Sequence, residues 1–162
     1  MKAVKIVTYG TDVLRKPAQE VAKLDEGVKK LIKKMWRAME ENRGLGIAAP
    51  QIGVSKRVFA YDVGEGQHAL INPRIVKRSR EEHSIEGCLS IPGLQGEVPR
   101  AVRVTVAGLD EEGRKVKIKA EGLLARVFQH EIDHLDGTMF VDRADPETLE
   151  TVPVGEQVGK EG

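Results

Sequence analysis

Gln129-His130-Glu131-Ile132-Asp133-His134 is the stretch that decides the fold and the chemistry of this chain. Residues four apart on an α-helix lie on one face, so His130 and His134 can hold one metal ion together. Glu131 follows the first of these residues, and its carboxylate can reach a water bound to that metal and act as a proton shuttle. Two imidazoles do not complete a metal site. The function therefore depends on the third ligand.

Two downstream schemes for the third ligand fit poorly. The extended metalloprotease pattern requires a histidine six residues after the second one, and that position is Phe140. Glu147 and Glu150 offer carboxylates, but they lie in a polar tail with no further helix to place them. The remaining candidates lie upstream, and they are His68, His83 and Cys88.

The three upstream candidates differ in their surroundings. His83 sits in the polar run 78–84, where a solvated loop is expected, and His68 adjoins the start of an apolar strand. Cys88 lies in segment 86–93, which is punctuated by glycine and proline, and Gly87 permits a close backbone approach. A thiolate with two imidazoles leaves a position open for water, as in catalytic sites. Such a set suits Fe(II) as well as Zn(II).

The pattern of apolar residues predicts an α+β fold. An amphipathic helix is expected over residues 25–42, followed by a loop of small residues over 41–51. Extended segments are expected at 57–63, 69–77, 103–108 and 115–120, and the last two are joined by a hairpin loop at 109–113. A second helix over about residues 122–136 carries the metal motif, and Gly137 is placed to end it with a left-handed residue. Short turns between strands favour antiparallel sheets packed around this central helix.

Length and composition limit the possible roles. With 162 residues and a net charge of +1, the chain is one domain without a global field that would attract nucleic acid or an anionic membrane. The single cysteine excludes an internal disulfide, and no apolar run resembles a signal peptide or a membrane span, so a cytoplasmic protein is expected. The predicted organisation is one catalytic domain over residues 1–143 and an acidic, flexible tail over 144–162.

Three segments together resemble the signature motifs of peptide deformylases, in the same order. The resemblance extends over about residues 5–143, which is nearly the whole domain. The segments are Gly44-Leu45-Gly46-Ile47-Ala48-Ala49-Pro50-Gln51, Glu86-Gly87-Cys88-Leu89-Ser90 and Gln129-His130-Glu131-Ile132-Asp133-His134.

The resemblance implies an enzyme that removes the formyl group from the N-terminal formylmethionine of newly made proteins. The implied metal ligands are Cys88, His130 and His134. One divalent ion is implied, with Fe(II) expected and Zn(II), Ni(II) or Co(II) as alternatives. The family fold, antiparallel sheets around the motif helix, agrees with the pattern of apolar residues.

The resemblance also implies roles in catalysis. Metal coordination lowers the pKa of water, so that hydroxide can attack the formyl carbon while Glu131 carries the proton to the departing amine. The Gln51 side chain and the Leu89 backbone N–H are assigned to stabilise the charge that develops on the formyl oxygen. An amide such as that of Gln51 donates a hydrogen bond without adding a charge.

Five further residues are assigned to substrate binding. Gly46 is expected to offer its backbone to an extended peptide, because it has no side chain to interfere. Leu45, Leu123 and Val127 are candidates for the pocket of the methionine side chain, although a plain core role is equally compatible with their apolar character. Glu86, from the second motif, is included in the same group.

The expected partners are N-formylmethionyl nascent polypeptides, with transient contact to the ribosome and no sequence-specific nucleic-acid binding or membrane binding. Some family members end in a basic helix that docks on the ribosome, whereas residues 145–162 here carry five acidic residues and one lysine. Ribosome binding through this tail is therefore expected to be weak. Two other hypotheses are an amidohydrolase for another N-acyl group and a binding module with a purely structural metal, which would need a fourth protein ligand.

Overall fold

Two antiparallel sheets form the framework of the protein in a computed structural model that describes residues 3–153. The larger sheet has the strand order β1-β2-β3-β6-β7, and the smaller one has the order β4-β5-β8. The strands are β1 (Gly46–Ala48), β2 (Val58–Tyr61), β3 (His68–Arg78), β4 (Glu81–Cys88), β5 (Ile91–Ala101), β6 (Arg103–Asp110), β7 (Lys115–Glu121) and β8 (Glu150–Thr151). The predicted antiparallel α+β fold is confirmed.

Helix α1 (Glu26–Asn42) agrees closely with the amphipathic helix predicted over residues 25–42. Asp25 caps it, because its carboxylate accepts a hydrogen bond from the Val28 N–H at 3.0 Å. The helix ends at Arg43, whose backbone is left-handed at φ 53°. Its apolar stripe packs on β1, β2 and the first part of β3, and so covers one end of one face of the larger sheet.

Helix α2 (Leu123–Leu135) carries the metal motif and contacts both sheets. Ten of its 13 residues are buried, which fixes every side chain of the motif in a packed environment. Gly137 follows with φ 81°, the left-handed conformation predicted from the sequence. Helix α3 (Phe140–Arg143) is a single turn beyond it. No helix within residues 3–153 is long and apolar enough to cross a bilayer.

Four predicted strands are present with small shifts at their ends, as β2, β3, β6 and β7. Two other strands, β4 and β5, were not predicted, and β4 occupies most of the run expected to be a solvated loop. Most of the first residues of β4 are exposed and polar, so they lack the apolar alternation that marks a strand. Pairing with β5 along nearly its whole length stabilises β4. The predicted loop at 41–51 likewise contains β1 and a 3₁₀ turn (Ala49–Ile52).

The predicted flexible tail begins inside the packed structure. A 3₁₀ turn (Pro146–Thr148) and β8 lie along β5, with Leu94 opposite Thr151. A Cβ atom on Gly96 would lie 2.6 Å from Leu149, so this glycine provides the space in which Leu149 packs. Residues 146–151 therefore lie against β5, and the flexibility expected of the tail stays a prediction. Residues 154–162 lie outside the described part, and the domain boundary at 143 stays a prediction.

Candidate metal centre

The two histidines of the motif lie side by side on α2, as the four-residue spacing predicts. Both are buried, and their ring centroids are 4.9 Å apart. The Nδ1 atom of His130 lies 2.9 Å from the Glu86 carboxylate, which orients its ring. A carboxylate behind a histidine is a common arrangement at metal sites, because it fixes the tautomer and raises the basicity of the other ring nitrogen.

Cys88 reaches the same place from the end of β4. Its Sγ atom lies 3.3 Å from His134 Nε2, and the ligand atoms of Cys88, His130 and His134 all lie within 4.8 Å of one another. The β4–β5 pairing shifts register between Gly87 and Cys88, which directs the thiol toward α2 at the hairpin. The structure therefore brings together the three residues implied by the resemblance.

The geometry and chemistry of this group fit one metal ion. A thiolate at 2.3 Å and an imidazole at about 2.05 Å from a tetrahedral ion stand roughly 3.5 Å apart, close to the 3.3 Å between Cys88 and His134. Burial raises the pKa of the Cys88 thiol, because the low-polarity surroundings disfavour the thiolate. A bound cation offsets that penalty, so metal binding and thiol ionisation are coupled.

The alternative third ligands lie elsewhere. Phe140, at the position required for a third histidine, stacks on His130 with ring centroids 6.5 Å apart. Glu147 and Glu150 are exposed, and Glu150 accepts a hydrogen bond from Gln95 at 2.8 Å. His83 is exposed and lies beside Glu97, whereas His68 lies beside Glu111.

Glu131 is completely buried and lies directly under Gly46 of β1. A Cβ atom on Gly46 would lie 2.8 Å from Glu131 Oε2 and 3.1 Å from Val127 Cγ1. The charge of Glu131 also raises the pKa of the Cys88 thiol, after the larger effect of burial, so the carboxylate lies within electrostatic reach of the ligands. Position 46 must lack a side chain because Glu131 occupies the space that a Cβ atom would need. The sequence alone did not indicate this contact.

Gln51 presents its amide to the centre. Its Oε1 accepts a hydrogen bond from the Ala48 N–H at 2.8 Å, so its NH₂ group is directed the other way. That nitrogen lies 3.1 Å from Ser90 Oγ and 3.7 Å from Cys88 Sγ. Leu89 follows Cys88 at the tip of the β4–β5 hairpin and is half-buried. Both residues therefore border the thiol.

A buried ionic network supports His130 from behind. The Arg100 guanidinium donates to both oxygens of Glu86, at 2.7 and 2.9 Å, and to Asp133 at 2.6 Å. Arg143 donates two more bonds to Asp133, at 2.7 and 2.9 Å. Burial alone would raise the pKa of Glu86, but the hydrogen bonds from Arg100 and His130 outweigh it and lower the pKa to about 2.

This network changes the interpretation of Glu86. The residue has no exposed surface, and its carboxylate is bonded within the protein, so it lies behind His130 rather than facing a substrate. Sequence reasoning missed Asp133 as a member of the network. Its position inside the motif, as an acidic residue on a mostly apolar helix, was the available signal.

The three candidates for the methionine pocket have different exposures. Val127 is completely buried beside Gly46, Leu45 is half-buried next to β1, and Leu123 is 37% exposed at the start of α2. Leu45 and Val127 belong to the apolar cluster around α2. Leu45 and Leu123 retain surface that another molecule can cover, whereas Val127 has none.

A thiol from the end of β4 meets two histidines and a buried glutamate of α2, which are the groups expected of a metal-dependent hydrolase. The sequence model of the Polypeptide deformylase family matches residues 3–150, and the chain belongs to that family. A peptide deformylase of Carboxydothermus hydrogenoformans is 52% identical over 145 residues, which cover 90% of this chain and 95% of that protein.

Solved structures agree with the sequence comparison. The crystal structure of peptide deformylase from Thermotoga maritima has a TM-score of 0.86 and 44% identity, and the match covers 90% of this chain and all of that one. A peptide deformylase from Synechococcus elongatus in complex with actinonin has a TM-score of 0.85 and 41% identity, with 88% and 79% of the two chains covered. The family and its fold are thereby established for this protein.

Proposed function

We propose that this enzyme removes the formyl group from the N-terminal formylmethionine of newly synthesised proteins, giving formate and a free methionyl amine. The observation that carries the proposal is the meeting of Cys88 with His130 and His134 beside the buried Glu131. A structural metal site would need a fourth protein ligand, and a three-ligand set leaves a position open for chemistry.

The proposed cofactor is one divalent ion held by Cys88, His130 and His134. A bound ion supplies a Lewis acid that polarises the formyl oxygen and lowers the pKa of water to near neutrality. Fe(II) is the proposed physiological ion, and Zn(II), Ni(II) and Co(II) are alternatives that suit the same ligands. Glu86, fixed by Arg100, positions His130 for this task.

Glu131 is proposed to move the proton. Its carboxylate accepts a proton from the attacking water and delivers it to the nitrogen of the departing peptide. The contact with Gly46 restricts the carboxylate to one side, so β1 fixes where the proton is exchanged. A general base must lie within hydrogen-bonding distance of the proton that it accepts. The position that β1 imposes on the Glu131 carboxylate therefore affects the proposed proton transfer.

Gln51 and Leu89 are proposed to stabilise the negative charge on the formyl oxygen. Because Ala48 holds the Gln51 carbonyl, the NH₂ group is preorganised toward the space beside Cys88. The Leu89 backbone N–H is offered from the hairpin tip next to the thiol ligand. Preorganised donors of this kind cost no reorganisation during the reaction and each contribute a factor of about 10² to 10³ to the rate.

The substrate is proposed to lie along β1. β1 has β2 on one side in the sheet order, so its other edge is available to an extended peptide at Gly46. Leu45, Leu123 and Val127 would then surround the methionine side chain. The nascent polypeptides that carry formylmethionine place the enzyme in the cytoplasm, where they are made.

The proposal is tested by hydrolysis of two peptides that differ only in the acyl group. Protein loaded with Fe(II) without oxygen is incubated with formyl-Met-Ala-Ser or acetyl-Met-Ala-Ser, and the free amine is measured. We expect turnover of the formyl peptide and at most a trace with the acetyl peptide. Equal turnover of both would identify a broader amidohydrolase, and no turnover of either with metal bound would refute the enzymatic assignment.

A further inference from the structure

One face of the larger sheet carries a group of cations that the proposed reaction does not use. Along β7 the side chains alternate, so that Val116 and Ile118 pack toward α2 while the lysines between them are exposed on the opposite face. Register places Arg74 and Lys77 of β3 and Arg103 of β6 on that opposite face as well. We name this surface the basic face, and it comprises Arg74, Lys77, Arg103, Lys115, Lys117 and Lys119.

The cations stand on either side of a floor of small residues. Lys77 and Lys119 both lie opposite Thr105, and Arg74 and Lys117 both lie opposite Ala107. Because neighbouring strands are about 4.8 Å apart, the two rows are about 10 Å apart, and successive lysines on β7 are separated by about 7 Å. Ala107 is only 7% exposed although it belongs to none of the apolar clusters, as expected if the long flanking side chains cover it.

The charge of this face is not balanced within the described residues. Arg103 lies 3.3 Å from Glu121, and among residues 3–153 no ion pair joins a carboxylate to another member of the face. The whole chain has a net charge of only +1, so the cations gathered here are matched by acidic residues elsewhere. A local positive potential on a nearly neutral protein attracts an anionic partner to that surface and so favours one orientation of the complex.

We infer that the basic face docks on the phosphate backbone of double-helical RNA. Its trough of regularly spaced cations, about 10 Å wide, can follow a polyanionic strand. The face has no aromatic side chain on which bases could stack, which favours a duplex over single strands. Of the large exposed apolar side chains, Val76 is the one that lies on these strands, so the face lacks the apolar anchors of a membrane-binding surface.

The choice of RNA rests on the proposed function, because new polypeptides emerge from a particle whose surface is rich in RNA helices. The geometry is compatible with activity, since α2 and its metal ligands lie on the other side of the sheet from the basic face. Docking there would leave β1 and Gly46 open to a peptide. Contacts of this kind read charge rather than base sequence, in agreement with the expected absence of sequence-specific binding.

Two variants that each lose three positive charges distinguish RNA binding by the basic face from RNA binding that depends only on net charge. K115Q/K117Q/K119Q removes three cations of β7, and K5Q/K16Q/K56Q removes three exposed lysines that lie on none of the strands β3, β6 and β7. The full chain loaded with metal is titrated against a fluorescent RNA hairpin at 50 to 200 mM salt. Vesicles of phosphatidylglycerol and a poly-glutamate chain serve as the other anionic probes.

We expect the β7 variant to bind RNA at least about tenfold more weakly, with a slope of log affinity against log salt reduced by about 2 to 3. The control variant should retain both the affinity and the slope of the wild type. Equal losses in the two variants would overturn the proposal, and so would stronger binding of the wild type to vesicles or poly-glutamate than to RNA. Turnover of formyl-Met-Ala-Ser, measured in parallel, tests the proposed function separately because neither variant alters the metal centre.

Discussion

Replacement of Gly46 by alanine tests whether β1 fixes the position of the Glu131 carboxylate, the proposed proton carrier. The new methyl carbon would lie 2.8 Å from Glu131 Oε2, whereas ordinary contacts begin at 3.4 Å. The carboxylate must therefore retreat by about 0.6 Å, because Val127, one turn earlier on the same face of α2, is already at 3.1 Å. Misplacement of a reacting group by about 1 Å can cost a factor of about 10² in rate. We expect kcat to fall by about 10- to 100-fold.

We expect Gly46→Ala to lower kcat and the free energy of unfolding without changing the metal content. The three atoms nearest the new methyl group belong to Glu131 and Val127, and neither is a proposed metal ligand. The metal content measured after gel filtration should therefore equal that of the wild type. Overpacking of a buried site costs about 1–3 kcal/mol, which denaturant unfolding will detect. Gly27→Ala is a matched control, since its new Cβ would meet only Asp25 Oδ1 at 3.3 Å, at the start of α1.

A second substitution identifies the cause of any loss. In Glu131→Ala the carboxylate is absent, so the added cost in stability of Gly46→Ala should shrink in that background. If Gly46→Ala keeps kcat within twofold of the wild type, or loses its metal, the proposed contact between β1 and the proton carrier is refuted. The same unfolding cost in both backgrounds would show that Val127, and not Glu131, is the neighbour that matters.

Three further outcomes are expected from the described contacts. Glu131→Ala should keep its metal but lose turnover, and preserved turnover would contradict the proton-carrier role. Arg100→Met should lower the free energy of unfolding by about 3–5 kcal/mol, because Glu86 becomes a buried charge without its main partner; Arg103→Met, at an exposed pair, should change it by less than about 1 kcal/mol. The pKa of Glu86 is lowered from 4.5 to about 2, so its contribution to stability is complete above pH 4.5 and is lost as the pH falls toward 2. Glu86→Gln should therefore show a flatter dependence of unfolding free energy on pH in that window, measured by urea titration, and an unchanged slope would contradict this assignment.

The sequence indicated the helices more reliably than the strands. Helix α1 was predicted to within one residue at its start, because its apolar residues follow the spacing of one helix face. Strand β4 was missed because its exposed first half is polar, and its partner β5 contains prolines and glycines that suggest a loop. Tertiary pairing overrode both local signals, since each strand satisfies the backbone groups of the other.

The order of the catalytic segments was readable in the sequence, but their supports were not. The spacing of His130 and His134 follows from helix geometry, and the resemblance to a known family supplied Cys88, Gln51 and Leu89. An acidic residue on a mostly apolar helix signalled that Asp133 needs a partner, but the local sequence did not identify Arg100 and Arg143 as its partners. It also did not indicate that Glu86 would face His130. These contacts join residues far apart in the chain, and spacing along the sequence carries no information about them.

The sequence by itself therefore indicated the reactive groups of this protein: two imidazoles one helical turn apart, a glutamate between them, and a thiol in a segment punctuated by glycine and proline. Only the tertiary structure decided how these groups are held. It placed Cys88 3.3 Å from His134, put Gly46 against Glu131, and buried Arg100 with Glu86. The physical reason is that residue type fixes which bonds a side chain can form, whereas packing between α2 and the two sheets fixes which partners come within reach.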